Sequence, residues 1–136
     1  KFILITIMRS TRELLVPLLK YLGDAEVHTL HSSYLYLAKN LNVSKKDLQV
    51  LMPSRVKMKK KNNRKLSTTD TGFYIRVADA IHVLRYGKLL ENLPGLQKKG
   101  IFKITVSGFE LLENSNTDLD VKILQIYNHW NKKKKN

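Results

Sequence analysis

Residues 73–86 read FYIRVADAIHVLRY, and GKLLENLPGLQKKGIFKIT follows over 87–105. Phe73, Val77, Ala80, Ile81 and Leu84 recur at the 3.6-residue spacing that puts them on one face of a helix. Ile75, Asp79, His82 and Tyr86 share the opposite face, with Arg76 and Arg85 at its flanks. Gly87 ends the helix. Leu89 to Asn92 and Ile101 to Thr105 are short strand-like runs, and residues 93–100 join them as a long hairpin tip that carries Lys98 and Lys99.

Upstream, Ser10-Thr11-Arg12-Glu13 is a capping box, in which the serine side chain and the glutamate each accept from the other's backbone N–H. Leu14, Leu15, Leu18, Leu19 and Leu22 then keep helical spacing, so a helix is expected over about 11–22. Pro17 should kink it or shift its start. A second helix starts at Thr29 or His31 with Leu30, Tyr34, Leu37, Ala38 and Leu41 as its stripe. Ser44 to Asp47 repeats the cap pattern and opens a short helix that turns Leu48, Leu51 and Met52 inward, with Pro53 as its stop. Residues 54–71 lack hydrophobic periodicity and read as a loop. Downstream of the hairpin, Thr105 or Ser107 opens a short helix ending near Asn114. A last helix over 117–130 carries Leu119, Ile123, Ile126, Tyr127 and Trp130 on one stripe.

Helices, a two-stranded hairpin and a further helix follow one another in the order of a winged helix-turn-helix. The expected class is therefore mainly α with a small β-hairpin (α+β). In that arrangement helix 73–86 is offered to the major groove and the hairpin tip is the wing. The expected organisation is an extension over 1–9, a winged-helix domain over 10–114, and a C-terminal helix or linker with a Lys-rich tail over 115–136. The opening KFILITI is too short for a secretory signal and has no small-residue cleavage site. It reads as an edge strand or as residues upstream of a start at Met8.

The 136 residues carry 25 Lys and Arg against 11 Asp and Glu, a net charge of +14. The excess is concentrated. Arg55, Lys57, Lys59, Lys60, Lys61, Arg64 and Lys65 place seven positive charges in eleven residues, and Lys132 to Lys135 add four. The remainder is close to neutral. A basic run beside a helix that could enter DNA points to a phosphate backbone as partner. A nuclear-localisation patch uses the same residue types, and the terminal lysines also read as a solvated tail. The chain has no Cys, which excludes disulfides, thiolate zinc sites and cysteine nucleophiles together. No apolar stretch approaches the ~20 residues of a membrane span, so no membrane partner and a cytoplasmic location are expected.

Three stretches carry a family likeness: LLVPLLKYL over 14–22, RVADA with LRYGKLL over 76–80 and 84–90, and KGIFKITVSGFELL over 99–112. In order and spacing they resemble the N-terminal domain of Mrr-type restriction endonucleases, which cut modified DNA. Asp24, Glu26 to Thr29, and Pro53-Ser54 fit that family's short turn and its element before the loop. The G-x-F-x-I-T-x-x-G end is the most specific piece. The resemblance covers about residues 12–113 and implies a winged-helix DNA-binding fold, with Arg76 at the helix-entry arginine position. Asp79 stands where the family has a Trp, and the loop before the helix is about ten residues longer than usual.

The resemblance places a nuclease in a separate C-terminal domain. Asp120-Val121-Lys122 matches its (D/E)-x-K element, with Glu110 or Glu113 as an upstream acid, but the segment reads as a helix start with acids in its first turn. His28 and His31 lie three apart without a third ligand, so no zinc is expected. There is neither a phosphate-binding glycine loop nor a serine nucleophile motif. No catalytic residue, metal or cofactor is expected in this chain.

The reading is thus a non-catalytic module for double-stranded DNA, linked in its parent protein to a nuclease domain. Arg55, Lys57, Lys59, Lys60, Lys61, Arg64, Lys65, Lys98 and Lys99 would contact phosphates. Ile75, Arg76, Asp79 and His82 would face base edges, Arg76 donating to guanine and Asp79 accepting from cytosine N4. The alternatives are a protein-interaction or homodimerisation module working through helix 117–130, with the charge reflecting composition alone, and a stand-alone transcription regulator of the same fold.

Overall fold

A computed structural model describes residues 10–93, 101–114 and 116–134. It is mostly helical with one small antiparallel sheet. Helix α1 (Thr11–Tyr21) starts at the expected capping box, with both the Ser10 side chain and Glu13 engaged, and continues through Pro17. Its Leu14, Leu15, Leu18 and Leu19 are all fully buried. A strand of two residues, β1 (His28–Thr29), precedes α2 (Leu30–Asn40), and Thr29 caps α2 by accepting from the Ser32 N–H. Short α3 (Lys45–Leu48) follows, capped by Ser44 as its sequence predicts, but it ends at Leu48 and buries no residue, and Leu51, expected to point inward, is exposed beyond its end.

The stretch read as a loop is in part a helix. Helix α4 (Pro53–Lys61) starts at the proline expected to be only a stop. Proline is suited to the first helical position, where its missing N–H would have no helical acceptor and its fixed φ is already helical. A turn over Thr68–Asp70 then leads into α5 (Gly72–Tyr86), whose N-cap is Thr71. The five residues predicted on the inner face of α5 are buried, and so is Val83. The extra burial follows from position, because α5 packs against α1, α2 and α7 (Asn116–Lys134) at once.

Strands β2 (Leu90–Asn92) and β3 (Ile101–Ile104) form the expected hairpin, and β1 adds a third strand on the far side of β3. His28 lies opposite Phe102, and Leu90 opposite Ile104. Two residues are too few to show alternation in a sequence. β1 exists because it pairs.

Helix α6 (Val106–Glu113) begins at Thr105, whose hydroxyl oxygen accepts from the Gly108 N–H at 3.0 Å and donates to the Lys88 carbonyl at 2.8 Å. Gly108 is packed so closely that a Cβ there would collide with the Leu89 carbonyl oxygen and come within 2.7 Å of Ile104 Cγ1. The T-x-x-G of the most specific sequence motif therefore has a physical cause. The threonine caps α6 and ties it to the turn between α5 and β2, and the glycine lets the helix abut that turn's backbone.

The stripe of α7 packs back on the chain, chiefly on α1 and α5, and buries Leu119 and Ile123. Ile126, Tyr127 and Trp130 lie partly buried against the same core. Gly87 allows this, since a Cβ there would come within 2.8 Å of Ile126.

Candidate nucleic-acid interface

Helix α4 is built without an apolar face, and none of its residues is buried. Three local features account for it. Pro53 occupies the first helical position, and Lys59, Lys60 and Lys61 stand in the last turn, where cations meet the negative end of the helix dipole. The exit is a Schellman motif: Asn63 adopts a left-handed φ of 53°, the Arg64 N–H donates to the Lys59 carbonyl at 2.8 Å, and the Asn63 N–H donates to the Lys60 carbonyl at 3.3 Å.

One ion pair fastens this helix to the body. Lys59 Nζ lies 2.7 Å from Asp70 Oδ2, and the Asp70 side chain is 1% exposed. The same ammonium donates to the Lys65 carbonyl at 3.2 Å. The Ser67 N–H donates to Asp70 Oδ2 at 2.8 Å. With the Lys59 hydrogen bond as the main cause, the Asp70 carboxyl is held below its ordinary pKa. Backbone bonds stitch the root of α4 to the start of α5, from the Met52 N–H to the Asp70 carbonyl (2.9 Å) and from the Gly72 N–H to the Val50 carbonyl (2.8 Å). A basic helix therefore projects beside the N-terminus of α5, itself the positive end of a helix.

The predicted phosphate contacts separate into three groups. Arg55, Lys57, Lys60, Lys61, Arg64 and Lys65 are exposed. Lys59 is half-buried and engaged with Asp70, a structural role that charge counting alone could not assign. Lys98 and Lys99 lie outside the described residues.

The base-edge candidates do not form one open surface. α7 runs antiparallel along α5, so that His129 meets Tyr86 (Nδ1 to hydroxyl, 2.6 Å) and Lys134 meets Asp79 (4.0 Å). Asp79, with 31% of its side chain exposed, thus faces a lysine of its own chain. Ile75 is half-buried. Arg76 is also half-buried, and its buried Nη1 has no hydrogen-bond partner. His82 is exposed on a different side, with Nδ1 3.3 Å from Arg85 Nη1.

The other chemical candidates remain apart. Glu110, Glu113, Asp120 and Lys122 are exposed on α6 and α7. His28 pairs with Asp24 at 2.8 Å and holds that carboxyl below its ordinary pKa, chiefly through the hydrogen bond. Among the described residues no group of three or more His, Asp or Glu could hold a metal ion. No described helix is long and apolar enough to cross a membrane.

No protein-family model, curated protein or solved structure matches this chain.

Proposed function

We propose that this chain is a double-stranded DNA-binding module of the winged-helix kind, similar in role to the N-terminal domain of Mrr-type restriction endonucleases and without catalysis of its own. The observation that carries the reading is α4: a projecting helix with exposed Arg55, Lys57, Lys60 and Lys61, continued by Arg64 and Lys65, fastened beside the N-terminus of α5. A strand between the first two helices that pairs with a later hairpin supports the winged-helix reading. In this proposal α4 neutralises phosphates, and α5 approaches the groove with its N-terminal half and His82, because α7 occupies the side of its C-terminal half. A nuclease domain would belong to the parent protein.

Phosphate contacts make affinity depend on salt, with log K falling by ~0.9 per contact for each unit of log salt. About six contacts give a slope near −5. The triple variant Lys57→Gln, Lys60→Gln, Lys61→Gln should bind every duplex more weakly and flatten that slope by about 2.7. Fluorescence polarisation with a labelled duplex across a salt series measures it. An unchanged slope removes α4 from the interface.

The competing dimer reading rests on Val121 and Leu124 of α7, which are 55% and 38% exposed. Leu119 and Ile123 are buried within the chain. Sedimentation decides between the two readings: a stable dimer with no duplex binding at low salt favours the second.

A further inference from the structure

A cavity lies on the side of α5 turned away from α7. It is a groove of about 620 Å³ between α5, the β1–α2 junction and the base of the hairpin. Small-molecule sites are commonly ~300–1,000 Å³, apolar in their walls and marked by a few converging polar groups. Leu30, Tyr74 and Ile101, all partly exposed, supply the apolar walls here, and Ala78 leaves room at the middle. The polar groups are more telling.

Arg85 lines the groove, and its Nε is buried without a hydrogen-bond partner. Burial also pushes its pKa below the ordinary arginine value. Among the described residues Arg85 has no ion pair, and no acid lines the groove. Arg85 is half-buried, and a guanidinium nitrogen taken out of water with neither acceptor nor anion beside it carries an uncompensated cost.

Its neighbour is oriented by it. Arginine can only donate, so at 3.3 Å the His82 Nδ1 accepts from Arg85 Nη1, and the proton of a neutral His82 sits on Nε2 as another donor. The opposite wall carries Thr29, Leu30 and His31, the N-cap and first two residues of α2, where the helix dipole is positive and the capping box satisfies the Thr29 and Ser32 N–H groups but not those of Leu30 and His31. Two sides of an apolar groove thus present donors and positive potential to the same space.

We propose that this groove binds a small, flat, apolar acid: one or two aromatic rings carrying a single carboxylate, sulfonate or phosphate. The rings lie between Leu30, Tyr74 and Ile101, and the anion meets Arg85. Charge complementarity selects that occupant over a neutral apolar molecule, and the inference does not depend on DNA binding.

The test uses two dyes that share a ring system, 8-anilinonaphthalene-1-sulfonate and uncharged N-phenyl-1-naphthylamine, titrated into the full chain by fluorescence. The sulfonate should bind saturably at one site, at least about tenfold tighter than the neutral dye, as expected for a charged hydrogen bond. Arg85→Met should weaken the sulfonate about tenfold or more and leave the neutral dye within about twofold. Arg85→Lys should restore part of the loss, and Ala78→Phe should remove both dyes by filling the groove. Amide shifts in the unmutated chain provide the arm that does not depend on a variant's folding: the sulfonate should move Tyr74, Ala78 and Ile101 most. Equal affinity for the two dyes, unsaturable binding, or shifts centred elsewhere would overturn the proposal. So would a site that appears only once residues 1–9 are removed, since that result gives the groove to the chain's own apolar N-terminus.

Discussion

Helices α1 and α4 are similar in length, 11 and 9 residues, and are held in place by opposite means. α1 buries four leucines completely and starts at a side-chain capping box. α4 has no fully buried residue and no side-chain cap, and is held by the Lys59–Asp70 pair, the backbone bonds at its root, and its own first and last residues. Each fully buried leucine side chain contributes ~1.5–3 kcal/mol, whereas capping and dipole effects contribute ~0.3–2 kcal/mol each. Hence α1 should be lost only with the whole fold, while α4 can open alone. An exposed cationic helix suits a polyanionic partner, and the cost of that exposure is low local stability.

Core truncation gives the largest expected effect. Leu18→Ala leaves a cavity between α1 and α5 and should cost about 2–5 kcal/mol. A domain of this size has ~5–15 kcal/mol in total, so urea denaturation should show a much lower midpoint with an unchanged slope. Next comes Gly108→Ala, where the new methyl meets the Leu89 carbonyl and Ile104. Relief requires α6 to move off the sheet, at about 1–3 kcal/mol in the same titration. A smaller loss than Leu18→Ala is expected, and a neutral result would mean that α6 does not abut the α5–β2 turn as described.

The same contrast explains what could be read from the residues alone. α1 combines a cap with an apolar stripe, α5 shows its stripe and α6 its threonine cap, and all of these signals are local. α4 has no stripe, so a search for periodicity passes over it. Its signals were instead punctuation: Pro53 as a first helical residue, the basic last turn, and Asn63 beyond the end. β1 could not be read because its reason lies in β3, some seventy residues away. The stripe of α7 was legible, whereas its target was not. Among the site residues, the cationic cluster was plain from composition. That Lys59 turns inward depends on the helical phase of a segment read as a loop. The groove around Arg85 draws on three separated stretches of chain, and no local pattern marks it.

Asp70→Asn should have the smallest global effect and sharpen the comparison most. The mutation removes the anionic partner of Lys59 and leaves the core of α1 and α5 intact. Hydrogen exchange should therefore show residues 55–61 losing protection while 14–22 keep theirs. The wild-type chain should reproduce this as a function of pH. The Asp70 pKa in the fold is below its unfolded value of about 3.9, so the unfolded segment binds the proton more readily. The contribution of the pair is thus fully present above that unfolded value and is lost as pH falls through the lower, folded one. Relative to intrinsic exchange rates, protection of α4 should stay level from pH 7 to about 4 and fall below it. In Asp70→Asn it should be low throughout, with no carboxylate step. A variant that kept the acid step in α4 would transfer the attachment to another group, and one that lost protection in α1 as well would make the two helices a single cooperative unit.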